Sequence, residues 1–173
     1  MDPIEPPEDS SWLPESLVGR AEWLPAEGER PEGMYISFGG NIGRTKVSLR
    51  FSGEELEPHV LTEALQCSPS RSYRKGDPVT RDGRGQRRRG MWLLESRLEE
   101  SFSIDAHVGD VLSRVTNDLS VWTNLARFTP DVFCGLFLSA FNQGDTLAPA
   151  TMQALAARGI RLGLDIYSNT GEE

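Results

Sequence analysis

Thr45-Lys46-Val47-Ser48-Leu49-Arg50-Phe51 alternates without a slip. Val47, Leu49 and Phe51 fall on one side and Lys46, Ser48 and Arg50 on the other, the period of two that marks a strand with one buried face and one wet face. A sheet buried on one side needs a second layer against that side. Ser52-Gly53 closes the strand. Ser52, with Glu55 three residues later, reads as a capping box that opens a helix over about 54–66. Leu56, Val60, Leu61, Ala64 and Leu65 then face inward.

Outward from this stretch the pattern continues in both directions. Met34 to Phe38 reads as a short strand, and Gly39 to Gly43 as the turn that follows it. Cys67 to Gly90 is too rich in Gly, Pro and Arg for a regular element. Met91 to Glu95 is the next strand, with Trp92 and Leu94 on one face as core residues. From Ile104 to Ala126 the helical period is clear, through Val108, Val111, Leu112, Val115, Leu119, Trp122 and Leu125, with Ser103 as N-cap. Val132 to Phe141 is apolar on both faces, as for a strand inside a sheet or one covered on both faces. Asn142 to Asp145 turns into a helix near Pro149–Arg158, stopped by Gly159. The last strand, Ile160 to Tyr167, sends Ile160, Leu162, Leu164 and Ile166 inward. This order predicts an α+β fold: a two-layer sandwich of one twisted mixed or antiparallel sheet of about five strands, with about three helices mainly on one face.

The chain has 173 residues, 38% hydrophobic and 25% charged, which is one domain plus a polar segment. Residues 1–33 hold six of the eleven prolines and nine acids against two bases, and read as an acidic flexible tail. Residues 34–168 form the α+β domain, and 169–173 fray. Trp-Leu-Pro occurs twice in the tail, so Trp12 and Trp23 are candidates for docking on a partner or on the chain's own domain. Two cysteines exclude a disulfide-dense scaffold. The start is acidic and lacks a signal peptide's apolar stretch, and the longest apolar run is too short to span a bilayer. A reduced, cytoplasmic protein is expected.

Several segments resemble a bacterial family, the one catalogued as domain of unknown function 4279. They are Val47 to Pro58, Pro69 to Pro78, Gly90 to Ser96 and Leu162 to Tyr167. The Arg-x-x-x-Lys-Gly-Asp segment (71–77), followed by a Gly-x-Trp strand, is the most specific part. The resemblance spans about residues 45–168. It implies a small mixed α/β domain and transfers no catalytic residue. The tail and the Arg-rich insertion at 81–89 lie outside the family's pattern.

Net charge is −8, yet residues 71–89 carry eight bases against Asp77 and Asp82. Arg71, Tyr73, Arg74, Lys75, Asp77, Arg87, Arg88 and Arg89 are therefore the candidate binding residues. Guanidinium forks suit carboxylate and phosphate partners, while a solvated loop neutralised by the acidic tail is the bland alternative. Asp165 shares a strand face with Arg161 and Tyr167, and is a candidate to pair with a basic-loop arginine. His59 and His107 read as solvent-facing residues of two helices. Cys67 ends a helix beside the basic loop, and Cys134 reads as core. No metal-ligand spacing, nucleophile elbow or phosphate loop occurs, so neither cofactor nor metal is expected. Nucleic acid is disfavoured by the acidic balance and by Tyr73 being the lone aromatic of the basic run. The leading expectation is a non-enzymatic domain that binds another protein, in a toxin-neutralising (immunity-type) or other interaction role. The alternative is an anion- or phosphate-binding or hydrolytic domain built on Arg71–Asp77 with Asp165. A deep pocket favours the second, an open charged face the first.

Overall fold

The computed structural model describes residues 40–80, 82–100, 103–140 and 142–168. The expected tail with Trp12 and Trp23, the expected strand at 34–38 and the C-terminal five residues lie outside them. The decisive stretch forms β2 (Arg44–Gly53), antiparallel to both of its neighbours. The sheet runs β3 (Arg71–Tyr73), β4 (Gly90–Glu95), β2, β5 (Asp131–Phe137), β7 (Arg161–Tyr167). Only the β5–β7 pair is parallel, so the sheet is mixed. Two-residue strands β1 (Gly40–Asn41) and β6 (Gln143–Gly144) pair beside it. Among the described residues four helices accompany the sheet: α1 (Pro58–Leu65), α2 (Ile104–Ser113), α3 (Leu119–Leu125) and α4 (Pro149–Ala157). This is the expected α+β arrangement.

One continuous core joins sheet and helices. Leu49, Phe51, Trp92, Val132 and Cys134 meet Leu61, Val111, Trp122 and Leu155 in it. Phe51 sits against both tryptophans, with ring centroids 5.7 Å from Trp92 and 5.8 Å from Trp122. Each buried indole N–H is satisfied, by Thr62 Oγ1 at 3.2 Å for Trp92 and by the Thr116 carbonyl at 2.9 Å for Trp122. Burying an aromatic of that size with its polar atom paired is worth several kcal/mol, about 3–5 by truncation.

Local expectations fail where a longer-range contact or a proline overrides them. The helix after β2 does not begin at a Ser52 capping box. The strand runs on to Gly53, and α1 starts at Pro58 with Glu57 as N-cap and no side-chain cap bond. Pro58 lacks an N–H and clashes one turn back in a helix interior, but it suits the first helical position. Val60 is consequently exposed, while Leu56 still reaches the core from the connecting loop. The long helix expected over 104–126 is two helices. Thr116 N–H leaves the helix to bond the Leu65 carbonyl (3.0 Å), and Asp118 caps α3 by accepting from Ser120 N–H (2.9 Å). Leu119 falls outside the apolar stripe and is exposed. Ser103 does cap α2.

Candidate functional site

The segment expected to be irregular is an ordered hairpin. Arg71, Ser72 and Tyr73 pair with Leu93, Trp92 and Met91 as an edge strand. Beyond them the two arms stay bonded. Gly76 N–H donates to the Arg87 carbonyl and Arg87 N–H to the Asp77 carbonyl, both at 2.8 Å, and Val79 N–H reaches Gly85 at 3.0 Å. Gly76 and Gly85, at φ of 90° and 70°, take left-handed conformations that side chains resist. Asp77 accepts from Arg74 N–H at 2.7 Å, so its carboxylate builds the turn rather than a reaction centre.

The basic residues divide by partner. Arg74 pairs with Glu57 (2.9 Å), Lys75 with Glu54 (2.7 Å) and Arg84 with Asp82 (2.6 Å). These exposed pairs add little stability, but the first two tether the hairpin to the chain entering α1. Lys75, through its hydrogen bond and charge, holds the Glu54 carboxyl below its ordinary pKa, with Arg89 a smaller contributor. Arg87 Cζ lies over Tyr73, 4.2 Å from the ring centroid, and Tyr73 O–H reaches Met91 Sδ at 3.3 Å. Arg87 Nε is buried there without a hydrogen-bond partner among the described residues. Arg71, Arg88 and Arg89 are exposed and make no ion pair with a described residue. Tyr73, Arg87, Arg88 and Arg89, with Val79 and Met91, line a shallow open depression of about 460 Å³.

This depression lies on the sheet face opposite the core, where the same cladding of aromatic by guanidinium recurs. Arg50 lies 4.1 Å above the Phe133 ring and grips Asp131 through Nε (3.1 Å) and Nη2 (2.6 Å). Arg44 lies 4.2 Å above Phe137, which stacks on Tyr167 at 4.6 Å and 8°. Arg44, Phe137 and Tyr167 border a second depression, of about 540 Å³. Reading β2 and β5 separately misses these residues. The signal was the polar half of the β2 alternation set against the second apolar face of β5.

Asp165 is not part of the hairpin site. It lies on β7, the edge of the sheet opposite β3, and accepts from Tyr167 O–H at 2.5 Å. The expected pairing with a basic-loop arginine is therefore corrected, and the alternative site loses its second acid. The structure gathers Arg71, Tyr73, Arg87, Arg88 and Arg89, uses Arg74, Lys75 and Asp77 to hold the turn, and leaves Asp165 four strands away.

His59 is exposed as expected, but His107 is buried. Its Nδ1 meets Ser96 Oγ at 2.9 Å, and its Nε2 has no partner among the described residues. Ser96, Thr45, Leu98 and Glu100 surround it in a crevice of about 210 Å³. Burial lowers its pKa, against the charges of Asp110, Asp145 and Glu100. The Asp110 carboxylate is committed to Arg114 (3.0 Å) and Arg97 N–H (2.9 Å), and His107 Nδ1 is taken by Ser96, so Asp110 does not orient the imidazole as in a catalytic triad. Cys134 is buried, with its thiol pushed up to about 12 by desolvation first and Asp145 second, and is inert. Cys67 is half-buried and free. No group of three or more His, Cys, Asp or Glu that could hold a metal occurs among the described residues. No helix there is long and apolar enough to cross a membrane.

The arrangement can offer exposed guanidinium groups to carboxylates beside a partly apolar floor. Nothing in it supplies an activated nucleophile. No curated protein and no solved structure matches the chain. The family model described as Domain of unknown function (DUF4279) matches residues 43–169, most of the chain and every strand of the five-stranded sheet, and the protein belongs to that family.

Proposed function

We propose that this protein is a non-enzymatic binding domain whose docking surface for an acidic protein partner is the sheet face around the arginine hairpin, which no described helix covers. The observation that supports it best is the division of labour among the bases: Arg74 and Lys75 fix the hairpin, while Arg88 and Arg89 line an open depression and Arg71 lies on the adjoining edge strand, none of the three in an ion pair with a described residue. Arg87 on Tyr73 adds an amphipathic floor of the kind enriched at protein interfaces. A depression this shallow suits a flat protein surface better than a small ligand enclosed on all sides. Neutralising a toxin is the narrower form of this role, and the cytoplasm is its setting, since Cys67 and Cys134 are both free thiols.

The experiment immobilises the full chain, captures partners from the native cell extract and compares two charge-matched variants. Arg88→Glu with Arg89→Glu should abolish capture of the acidic partner. Arg97→Glu with Arg127→Glu, outside the hairpin, should leave it intact. Equal capture by both variants overturns the proposal.

A further inference from the structure

β7 is an edge. Among the described residues no strand lies beyond it, and Leu164 and Ile166 are 51% and 61% exposed instead of facing the core as expected. The sequence pattern reads them as inward, and they are on that side of the pleat. None of the described helices buries this end of the strand. A seven-residue edge carrying exposed aliphatics and no proline is a ready template for pairing with another strand.

The backbone shows which groups turn away from β5. Arg161 N–H donates to the Pro130 carbonyl (3.1 Å), and the Tyr167 carbonyl accepts from Leu138 N–H (2.9 Å). Odd-numbered residues thus turn their polar groups toward β5. By alternation Leu162, Leu164 and Ile166 turn theirs to the open edge.

Residues 161–165 read Arg-Leu-Gly-Leu-Asp, a sequence symmetric in its apolar positions and complementary in its charges about Gly163. We propose that β7 pairs antiparallel with β7 of a second copy of this chain, about a two-fold axis through Gly163. In that register Leu162 faces the partner subunit's Leu164, so the residues with free backbone groups exchange the ladder bonds. Arg161 faces the partner subunit's Asp165 in the closer, non-hydrogen-bonded position, and the symmetry makes this ion pair twice. Arg161 is exposed and makes no ion pair with a described residue, while Asp165 Oδ2 takes the Tyr167 hydroxyl and leaves Oδ1 for the guanidinium. A shift by one residue would pair groups that point away from each other, and a shift by two would set Gly163 against Arg161 or Asp165. The register is therefore specified by both backbone and charge. The axis is perpendicular to the sheet, so the two faces that carry Arg44 and Arg50 lie on the same side of one ten-stranded sheet, with the arginine hairpins at its far ends. The pairing edge is separate from the hairpin, and this inference stands whether or not the docking proposal does.

Sedimentation equilibrium of the full chain tests it. Wild type should show a concentration-dependent rise from the monomer mass of 19.2 kDa to twice that value. Arg161→Asp and Asp165→Arg alone each set like charges opposite each other twice, and should weaken dimerisation by about ten- to a hundred-fold. Mixing these two variants restores opposite charges at both positions and should recover the dimer. Arg88→Glu with Arg89→Glu should leave the dimer unchanged. A chain that stays monomeric at every concentration overturns the proposal, as does a dimer that is indifferent to the single variants or is not rescued by the mixture.

Discussion

The two faces of the sheet are made by the same strands, yet obey different rules. On the inner face Val47, Leu49 and Phe51 are locked among helices, and a change of one side chain is felt across the whole core. On the outer face Arg44 and Arg50 lie over Phe137 and Phe133, so arginine does the covering that helices do on the other side. The difference teaches that an uncovered sheet face need not be a polar face. An aromatic layer under guanidinium planes tolerates water and is still ready for a partner. Stability is concentrated on one side, and the recognition proposed above on the other.

The sharpest way to break that contrast is at Trp92, whose ring packs against Phe51 on the inner face. Trp92→Ala should cost about 3–5 kcal/mol, read as a lowered midpoint in urea unfolding. A loss below about 1 kcal/mol would put the core elsewhere. Next comes Gly90, where a Cβ would fall 2.6 Å from the Leu56 carbonyl oxygen. Gly90→Ala forces backbone to move against backbone and should cost about 1–3 kcal/mol by the same measurement. On the outer face Asp131→Asn leaves Arg50 half-buried with a neutral acceptor, and should cost about 1–2 kcal/mol.

Acid supplies a smaller and graded test. The His107 pKa is lowered in the folded chain, so between that value and the ordinary histidine value of about 6.5 the unfolded state binds more protons. The stability from keeping this ring neutral is complete above about pH 6.5 and is lost as pH falls through the folded pKa. Wild type should therefore lose stability on acidification from pH 7 to 5 more steeply than His107→Gln. Parallel curves would show that the imidazole is not held neutral. The smallest effect on stability belongs to the hairpin: Arg88→Glu and Arg89→Glu should each change it by less than about 0.5 kcal/mol, because both side chains are exposed.

The same contrast separates what the sequence discloses from what it hides. β2, β4, β5 and α4 are legible because each carries its own period, and α4 its own stop at Gly159 (φ 63°), although β5 ends at Phe137 and not at Phe141 as expected. Position in the sheet is not local, so the exposure of Leu164 and Ile166 on an edge strand could not be read from their alternation. The break at Thr116 depends on the Leu65 carbonyl, fifty-one residues earlier. His107 was legible and misread: it lies three residues after Ile104 and four before Val111, on the stripe that faces the sheet. Of the site, the basic run was visible as composition. Its sorting into tethers and free arginines was not, because Glu54 and Glu57 come from another segment.

The central claim is that the free arginines of the hairpin steer and hold an acidic partner. The measurement that reaches it most directly is the association rate of the captured partner with wild type and with Arg87→Glu, Arg88→Glu, Arg89→Glu, at low and high salt. Association with the triple variant should be slower by about tenfold or more at low salt, with the gap closing as salt rises, since screening acts over about 10 Å at 0.1 M. Arg71→Ala should instead quicken dissociation. Rates that coincide for wild type and the triple variant at both salt concentrations would contradict the account.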